Sequence, residues 1–480
     1  MFESNPATRA SRSHAATAGH GRASTSTDHV NELPNFFLAD LPSEAVLTPT
    51  VLREACLTLK RNRAHYLAGR TTEEIIRVLC RVADNWLDAE YPIRKLALAE
   101  GPAKTGFGRA TIERGLDNFF KQFTRENFFA LLAQELGDVR RLDEFVAAPG
   151  ETRAALASGP ELLVHIAAGN IPNPTLMSIT LGLLARSAQF VKCGSGAAFL
   201  PRLFAHSIHE ADGKLGASLE IAEWRSAEAA LADTIFAEAD CVTATGSDET
   251  LAAIRAKLPV RTRFLGYGHQ LSFGFVAAEV LSGRSAKKTI SGAADDVVAW
   301  NQSGCLSPHV VCAQRGGEIT PEDFARLLAE ELERRETGEP RGEVAKETAA
   351  TIASRRAIYE VRAAHSADTQ LWCSKDSTAW TVVFENDPRF QLSCLNRFIY
   401  VKAVRDLTEA LHGADSVRGK VSTVGLAADA PKQIELASAL ARWGVTRVCP
   451  IGQMQNPPLT WRHDGRPALG DLVTWTDFEK

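Results

Sequence analysis

"ELLVHIAAGNIPNPTLMSITLGLLARSAQFVKCG", residues 161–194, decides how the middle of the chain is read. Its first nine residues are a short apolar run of strand character. "NPTLMSITLGLLAR" then carries apolar residues at helical spacing, and "AQFVKCG" is a second strand-like run. Strand, helix and strand in succession predict two parallel strands joined by a crossover helix. The alternation continues downstream. "AAFLPRLFAHSIHEAD" reads as a helix despite its proline, "SLEIAEW" as a strand, "SAEAALADTIFAEA" as a helix and "DCVTATG" as a strand. "SDETLAAIRAKL" and "RTRFLGYG" repeat the pair. A parallel sheet with helices on both faces is expected, the architecture of a nucleotide-binding domain.

On the N-terminal side, from Leu47 to about Phe145, the pattern is helical throughout. "TPTVLREACLTLKRNRAHYLAG" and "TTEEIIRVLCRVADNWLD" each follow a threonine that can cap the first turn. On the C-terminal side a second α/β stretch runs from about Gly266 to Val424. It includes a helix over "TPEDFARLLAEELERR", with Thr320 at the cap and Pro321 in the first position, and strands over "TAWTVVFE" and "NRFIYVKAV". The expected divisions are a disordered tail over 1–35, a cofactor-binding domain with its helical lead-in over 36–265, and a catalytic domain over 266–430. A segment over 431–480 would return to the cofactor domain or to an oligomer interface.

Bulk properties narrow the function. A chain of 480 residues is too long for one core. A net charge of −4 gives no reason to expect nucleic acid as a partner. No apolar run reaches the roughly 20 residues that span a bilayer. The nine cysteines form no C-x-x-C pair, which points to a reducing cytoplasm and away from a disulfide framework or a zinc ribbon. The first thirty or so residues are rich in Ala, Ser, Thr and Arg and lack the apolar core of a secretory signal.

Two stretches carry candidate chemistry. In "NQSGCLSPH", 301–309, small polar residues precede Cys305 and Pro308 follows it, so the cysteine is expected on a tight loop, where a thiol can act as a nucleophile. In "TATGSDET", 243–250, a strand ends, Thr245 and Gly246 turn the chain, and a helix starts at Ser247. Helix N-termini present unpaired N–H groups that suit a pyrophosphate. "GYGHQL" at 266–271 resembles half of a dinucleotide fingerprint, but its third glycine is missing. His206 and His209 stand three apart on a helix with no cysteine or carboxylate set to complete a metal site, so no metal is expected.

"AAGNIPNP", "VKCGSGAA", "TATGSDET" followed by "LGYGHQLSFGFV", and "WNQSGCLSP" occur in an order that resembles the aldehyde dehydrogenase superfamily. In detail the chain resembles its LuxC-type branch, the long-chain acyl-CoA reductases; "RVCPIGQMQNPP" and "WRHDG…LGDLVTW" look like that branch too. The resemblance covers roughly residues 40–480. It implies an α/β fold with a parallel-sheet dinucleotide-binding domain and an α/β catalytic domain. It implies that Cys305 is the catalytic thiol and that Asn170, with the Cys305 N–H, forms an oxyanion hole. Lys192 would bind the adenosine ribose, and Gly246 and Ser247 would open the helix under the pyrophosphate.

Two departures from the superfamily pattern refine this. Gly266 falls where hydrolytic members carry a water-activating glutamate, and His269 is the base expected nearby. An acyl-enzyme without such a base is hydrolysed slowly and persists for reduction or exchange with a thiol. Restoring a carboxylate, Gly266→Glu, is then expected to raise release of free acid. Ser195 stands where NAD-preferring relatives carry a glutamate, which favours NADPH. Arg462, His463 and Asp464 of "WRHDG" read first as a salt-bridged turn and second as a lining of the acyl or coenzyme entrance.

The expected activity is NADPH-dependent reduction of a long-chain acyl-CoA, or another acyl thioester, to an aldehyde through a Cys305 acyl-enzyme. The alternatives are a CoA-acylating aldehyde dehydrogenase acting on shorter chains, or a non-catalytic scaffold for an acyl-transfer or ligase complex. The resemblance also implies an acyl-CoA or acyl-protein substrate, acyl-protein synthetase or acyltransferase partner subunits, a homo-oligomer, and a relation to light-producing systems.

Overall fold

The computed structural model describes residues 33–42, 44–225 and 227–479. The tail expected over 1–35 lies outside the described residues except for 33–35.

Five helices lead in: α1 (Pro49–Asn62), α2 (Thr72–Leu87), α3 (Pro92–Thr105), α4 (Arg109–Phe120) and α5 (Arg125–Leu136). Their ends follow from local chemistry. Thr48 accepts from the Val51 N–H at α1, Thr71 and Glu74 form a reciprocal capping box at α2, and Thr124 caps α5. Gly106 and Gly137 close α3 and α5 in the left-handed region, at φ 77° and 78°. Inside the bundle the buried Trp86 ring stacks on Phe120 at 5.0 Å between centroids, and its Nε1 donates to Ser207 Oγ at 2.8 Å.

The chain then passes through β1 (Val146–Ala147) and β2 (Ala154–Ser158) into the predicted alternation. This comprises β3 (Leu162–Ile166), α6 (Asn173–Leu184), β4 (Ala188–Cys193), α7 (Phe199–Ala211), one turn of α8 (Gly213–Gly216) and β5 (Leu219–Glu223). It ends with α9 (Ala229–Glu238), β6 (Cys241–Thr245), α10 (Asp248–Lys257) and β7 (Arg263–Tyr267). The strands form one parallel sheet in the order β5-β4-β3-β6-β7. All six residues of β4 are buried, as a parallel strand covered on both faces requires. Leu52 and Leu59 of α1 pack with Ile235 and Phe236 of α9 on Val164 and Phe190 of the sheet. The strand order reverses between β3 and β6. In open α/β sheets that reversal opens a crevice beyond the carboxyl ends of the strands, where ligands sit.

A second unit follows with β8 (Leu271–Val276), α11 (Gly283–Val298), β9 (Pro308–Gln314), α12 (Pro321–Gly338), α13 (Lys346–His365), β10 (Thr369–Cys373), β11 (Thr381–Glu385) and β12 (Phe398–Val404). It continues with α14 (Leu407–Gly413), β13 (Val421–Ala427), α15 (Ala430–Trp443) and β14 (Arg447–Pro450). Its sheet runs β10-β11-β12-β9-β8-β13-β14, and only β10 is antiparallel to its neighbour. Within it the buried Lys402 ammonium is paired with Glu385 at 2.6 Å and Asp387 at 3.2 Å, which offsets the cost of burying its charge. The last strand, β15 (Thr474–Phe478), pairs antiparallel with β2 in a three-stranded sheet with β1. Among the described residues no helix is long and apolar enough to cross a membrane.

Candidate active site

Between α11 and β9 the backbone does something only a supported loop can do. Trp300, Asn301 and Gln302 all have positive φ, at 47°, 49° and 60°. Three consecutive non-glycine residues in that region store on the order of 1–3 kcal/mol each. A second left-handed run, Leu395, Asn396 and Arg397, lies against the first. The Asn396 N–H donates to Asn301 O at 2.9 Å, and the buried Arg397 Nε donates to Asn301 Oδ1 at 3.0 Å. Gln302 Nε2 donates to the carbonyls of Pro308 and Phe398, at 2.9 and 3.1 Å. The Trp300 ring packs so closely on α4 that a Cβ on Gly115 would lie 2.1 Å from it. Cys305 follows in a turn that these contacts hold.

Around that turn space is tight. Ser272 Oγ donates to Cys305 O at 2.8 Å. A Cβ on Gly304 would lie 2.5 Å from Gln455 Nε2 and 3.0 Å from Ile171. Asn170, on the loop after β3, donates from Nδ2 to Ser303 O at 2.5 Å. The structure therefore joins Asn170 and Cys305, which lie far apart in sequence.

Cys305 opens onto a cavity of about 130 Å³ between the two sheets. Its wall is mostly apolar, with Phe119, Met177, Leu181, Leu306, Leu459 and Trp461. Tyr267 and His463 face the same space. Burial pushes the Cys305 thiol up to about 12, and the Asp464 carboxylate pushes in the same direction. The N–H groups of Cys305 and Leu306 oppose them by favouring the thiolate. The expected nucleophilic loop is present, but the thiol at its tip is protonated at neutral pH. It sits at no helix N-terminus that would lower it.

The cofactor candidates stand at the carboxyl ends of the first sheet. Lys192 is the penultimate residue of β4 and is buried, with burial pulling its ammonium below the usual lysine range. Among the described residues that ammonium has no hydrogen-bond partner within the protein; its contact is the Trp224 ring face at 5.7 Å. Ser247 caps α10, accepting from the Thr250 N–H at 3.3 Å, and the Gly246 N–H donates to Tyr267 O. Ser195 lies on the turn after β4, and a cleft of about 80 Å³ runs between that turn and the Asn170 loop. Lys192 on β4 and the α10 start after β6 stand at the same carboxyl edge of the sheet with β3 between them, the edge at which ligands of such sheets sit.

The model of the family described as acyl-CoA reductase (LuxC) matches residues 67–475. The chain belongs to the LuxC family. A long-chain acyl-protein thioester reductase of Aliivibrio fischeri is 24% identical over 418 residues, covering 85% of this chain and 82% of that protein. A long-chain acyl-protein thioester reductase 2 of Photobacterium leiognathi is 22% identical over 419 residues, covering 85% and 83%. The fold is that of the aldehyde dehydrogenases. A NAD-dependent benzaldehyde dehydrogenase from Corynebacterium glutamicum superposes with a TM-score of 0.65 at 14% identity, covering 91% of each chain. A Delta-pyrroline-5-carboxylate dehydrogenase from Mycobacterium tuberculosis does so with 0.64 at 13% identity, covering 90% of this chain and 82% of that one. This superfamily fold in a reductase family implies a nicotinamide dinucleotide cofactor.

Three expectations for this LuxC-family chain change in the structure. A side chain at Gly266 would point at Phe264 and Leu251, with a Cβ 3.0 Å from the Phe264 ring, because successive strand residues face opposite ways. The residue of β7 that faces the cavity is Tyr267, so a glutamate at 266 would not reach Cys305. His269 is exposed on the turn after β7 and does not line the cavity. His463 does, so the "WRHDG" turn is a wall of the site as well as a turn of its own. His206 and His209 have packing roles: His206 Nε2 lies 2.9 Å from Asp40 Oδ1, and His209 stacks on Phe36 at 3.9 Å.

Sequence reading also missed Glu223, at the end of β5. Its carboxylate accepts from the Gly196 N–H at 2.6 Å and the Ala198 N–H at 3.3 Å, fixing the turn that carries Ser195. Its signal was faint, an acid closing a strand beside "KCGSG".

Proposed function

We propose that the chain reduces a fatty acyl thioester to an aldehyde with NADPH, through an acyl group carried on Cys305. The observation that carries this reading is the apolar cavity onto which Cys305 opens, with Asn170 bound to the same loop. Acyl transfer puts negative charge on the carbonyl oxygen. The N–H groups of Cys305 and Leu306 and the second amide N–H of Asn170 are the donors available to it. Each such donor contributes ~3–4 kcal/mol to the transition state. Phe119, Met177 and Leu181 would receive the alkyl chain and keep water from the thioester. Among the described residues that line the cavity there is no carboxylate to activate water, which supports reduction over acid formation.

Lys192, Ser195, Gly246 and Ser247 would hold the cofactor. Bound there, the reduced nicotinamide would supply the hydride that converts the thioester to the aldehyde. Both oxygens of Glu223 accept from backbone N–H groups, and Ser195 carries no charge, so Lys192 is the charge available to a 2′-phosphate. Two further readings belong to this proposal. The edge strand β15, with Trp475 and Phe478 exposed, would make the three-stranded sheet an oligomer surface. Nine free cysteines suit a reducing cytoplasm.

The test is incubation of the full chain with acyl-CoA and acyl-protein thioesters of graded chain length, followed by intact-mass and aldehyde measurement. An acyl mass increment that is lost in Cys305→Ala is expected, with aldehyde formed faster with NADPH than with NADH and the preference reversed in Ser195→Glu. Aldehyde formation by Cys305→Ala would overturn the acyl-enzyme. Free acid as the main product of the unaltered chain would overturn the reduction. A stronger response to NADH would overturn the cofactor choice.

A further inference from the structure

A protonated thiol cannot attack a thioester until something takes its proton, and the acyl-transfer reading leaves that group unnamed. The loop around Cys305 offers no base. Ser272 and Ser307 are engaged with backbone and Gln455, and His309, next along, is turned to Ser393 at 3.2 Å. The cavity onto which Cys305 opens is also lined by a histidine, His463. His463 lies between two rings, stacked on Tyr267 at 4.4 Å between centroids and 10° between planes, and tilted against Trp461 at 4.7 Å. Two aromatic walls leave the imidazole little rotational freedom. Its edge faces the next residue: Asp464 Oδ1 lies 3.9 Å from Nε2. That oxygen is buried and accepts no hydrogen bond. Asp464 is itself held at φ 53°, a conformation that aspartate tolerates and that strains most other side chains. A strained backbone presenting a buried, unpaired carboxylate oxygen towards a histidine edge, in a turn that walls a cysteine cavity, is an arrangement with a chemical use.

The turn is anchored from both sides. Arg466 Nη2 donates to Gly266 O at 3.0 Å, and its guanidinium lies over the Tyr267 ring at 4.6 Å. Arg462 faces Glu135 of α5 at 3.9 Å. Burial holds the His463 ring below the usual histidine range, Asp464 opposes that, and Arg466 adds to it. The ring is therefore neutral at pH 7, with a lone pair to accept a proton.

We propose that His463, positioned by Asp464, accepts the Cys305 proton and returns it to the departing thiol. The inference rests on the acyl-transfer reading above. The Cys305 S–H bond breaks and its proton moves to a ring nitrogen. The sulfur bonds to the acyl carbon, the bond from that carbon to the donor sulfur breaks, and the same proton leaves on the donor thiol. No electron is gained or lost, and the ring ends neutral. His463 thus supplies proton transfer from the turn beside Gly266, where the strand itself has no side chain to offer.

The experiment follows alkylation of Cys305 by iodoacetamide in the full chain from pH 5 to 9, read by peptide mass, so that no acyl donor is needed. The unaltered chain is expected to show a shoulder in rate on the acid side of neutrality, far below the thiol's own range. His463→Gln should lose the shoulder and react ~10²-fold more slowly at pH 7, yet converge with the unaltered chain at the alkaline end. Asp464→Asn, which keeps the turn's backbone preference, should move the shoulder to lower pH, because the carboxylate raises the ring. A His463→Gln profile identical to the unaltered one, or lower by one factor at every pH, would overturn the proposal; the second pattern is what a purely structural role produces. A chain that shows the shoulder but takes no acyl group from any thioester would retain this proton relay and overturn the function proposed above.

Discussion

Burial makes the Cys305 thiol hard to ionise, and the same burial makes each donor near it strong, because a fixed N–H in an apolar cavity competes with no water. Asn170 is exposed at the edge of the Cys305 loop. Its amide nitrogen gives one hydrogen to Ser303 O, which leaves the second to serve the acyl oxygen in the reading proposed above. Removing the amide loosens the loop and deletes a donor together, and only the donor matters in the transition state. Asn170→Ala is therefore expected to lower kcat by ~10²-fold with KM little changed. Steady-state kinetics over a range of acyl thioester concentrations check this, and a rise in KM at constant kcat would make Asn170 a loop tie alone. Cys305 was legible in sequence because the small polar residues around it mark a loop, and Asn170 through the resemblance that "AAGNIPNP" carries. His463 was legible only as a second reading, in which "WRHDG" lines the acyl or coenzyme entrance. Nothing in "WRHDG" shows that Tyr267 will meet it, since the ring stack is created only when β7 and the C-terminal turn are brought together.

The nucleophile loop shows how one element can be held in an unfavourable conformation by another. Trp300–Gln302 and Leu395–Arg397 are both left-handed, and neither would persist alone. Arg397 is the link, fully buried, donating to Asn301 Oδ1, to Glu336 at 2.8 Å and to Glu339 O at 2.9 Å. Replacing it with methionine keeps the volume and removes every donor, leaving Glu336 without its buried partner. Arg397→Met is expected to cost ~3–5 kcal/mol of stability and to relax the turn ahead of Cys305. Denaturant unfolding measures the first, and the rate of Cys305 alkylation measures the second. A loss confined to stability would mean that the Trp300 contact with α4 holds the loop by itself. Sequence reading correctly expected a tight loop here from Asn301 to Pro308. It could not see that Asn301 and Gln302 were left-handed, because the partner turn lies beyond two helices and three strands.

Across the whole molecule, the first sheet was readable and the second only in part, for a physical reason. In the first, each strand is followed by its crossover helix, so local periodicity reports the architecture. In the second, β8 pairs with β13 and β9 with β12, pairings between distant segments that no local pattern encodes. The N-terminal stretch shows the same limit. Nothing in "FFLAD" shows that it docks on β5, yet the Leu38 N–H donates to Glu220 Oε1 at 2.7 Å. Burial there pushes the Glu220 carboxyl up to about 8 against its backbone donors, and Asp40 pushes the same way. A raised folded value means that the native state holds this proton more tightly than the unfolded chain does. The group's stabilising contribution is complete below about pH 4.5 and falls as pH rises towards 8. Glu220→Gln keeps an oxygen for the Leu38 N–H and removes the charge. The variant should be more stable than the unaltered chain at pH 8, by on the order of 1–3 kcal/mol after discounting for the side chain's contact with solvent. The two should converge near pH 4.5. Thermal unfolding at intervals between those limits checks it: parallel curves would show that Glu220 titrates alike in the folded and unfolded chains, and that the docked N-terminal stretch does not desolvate it.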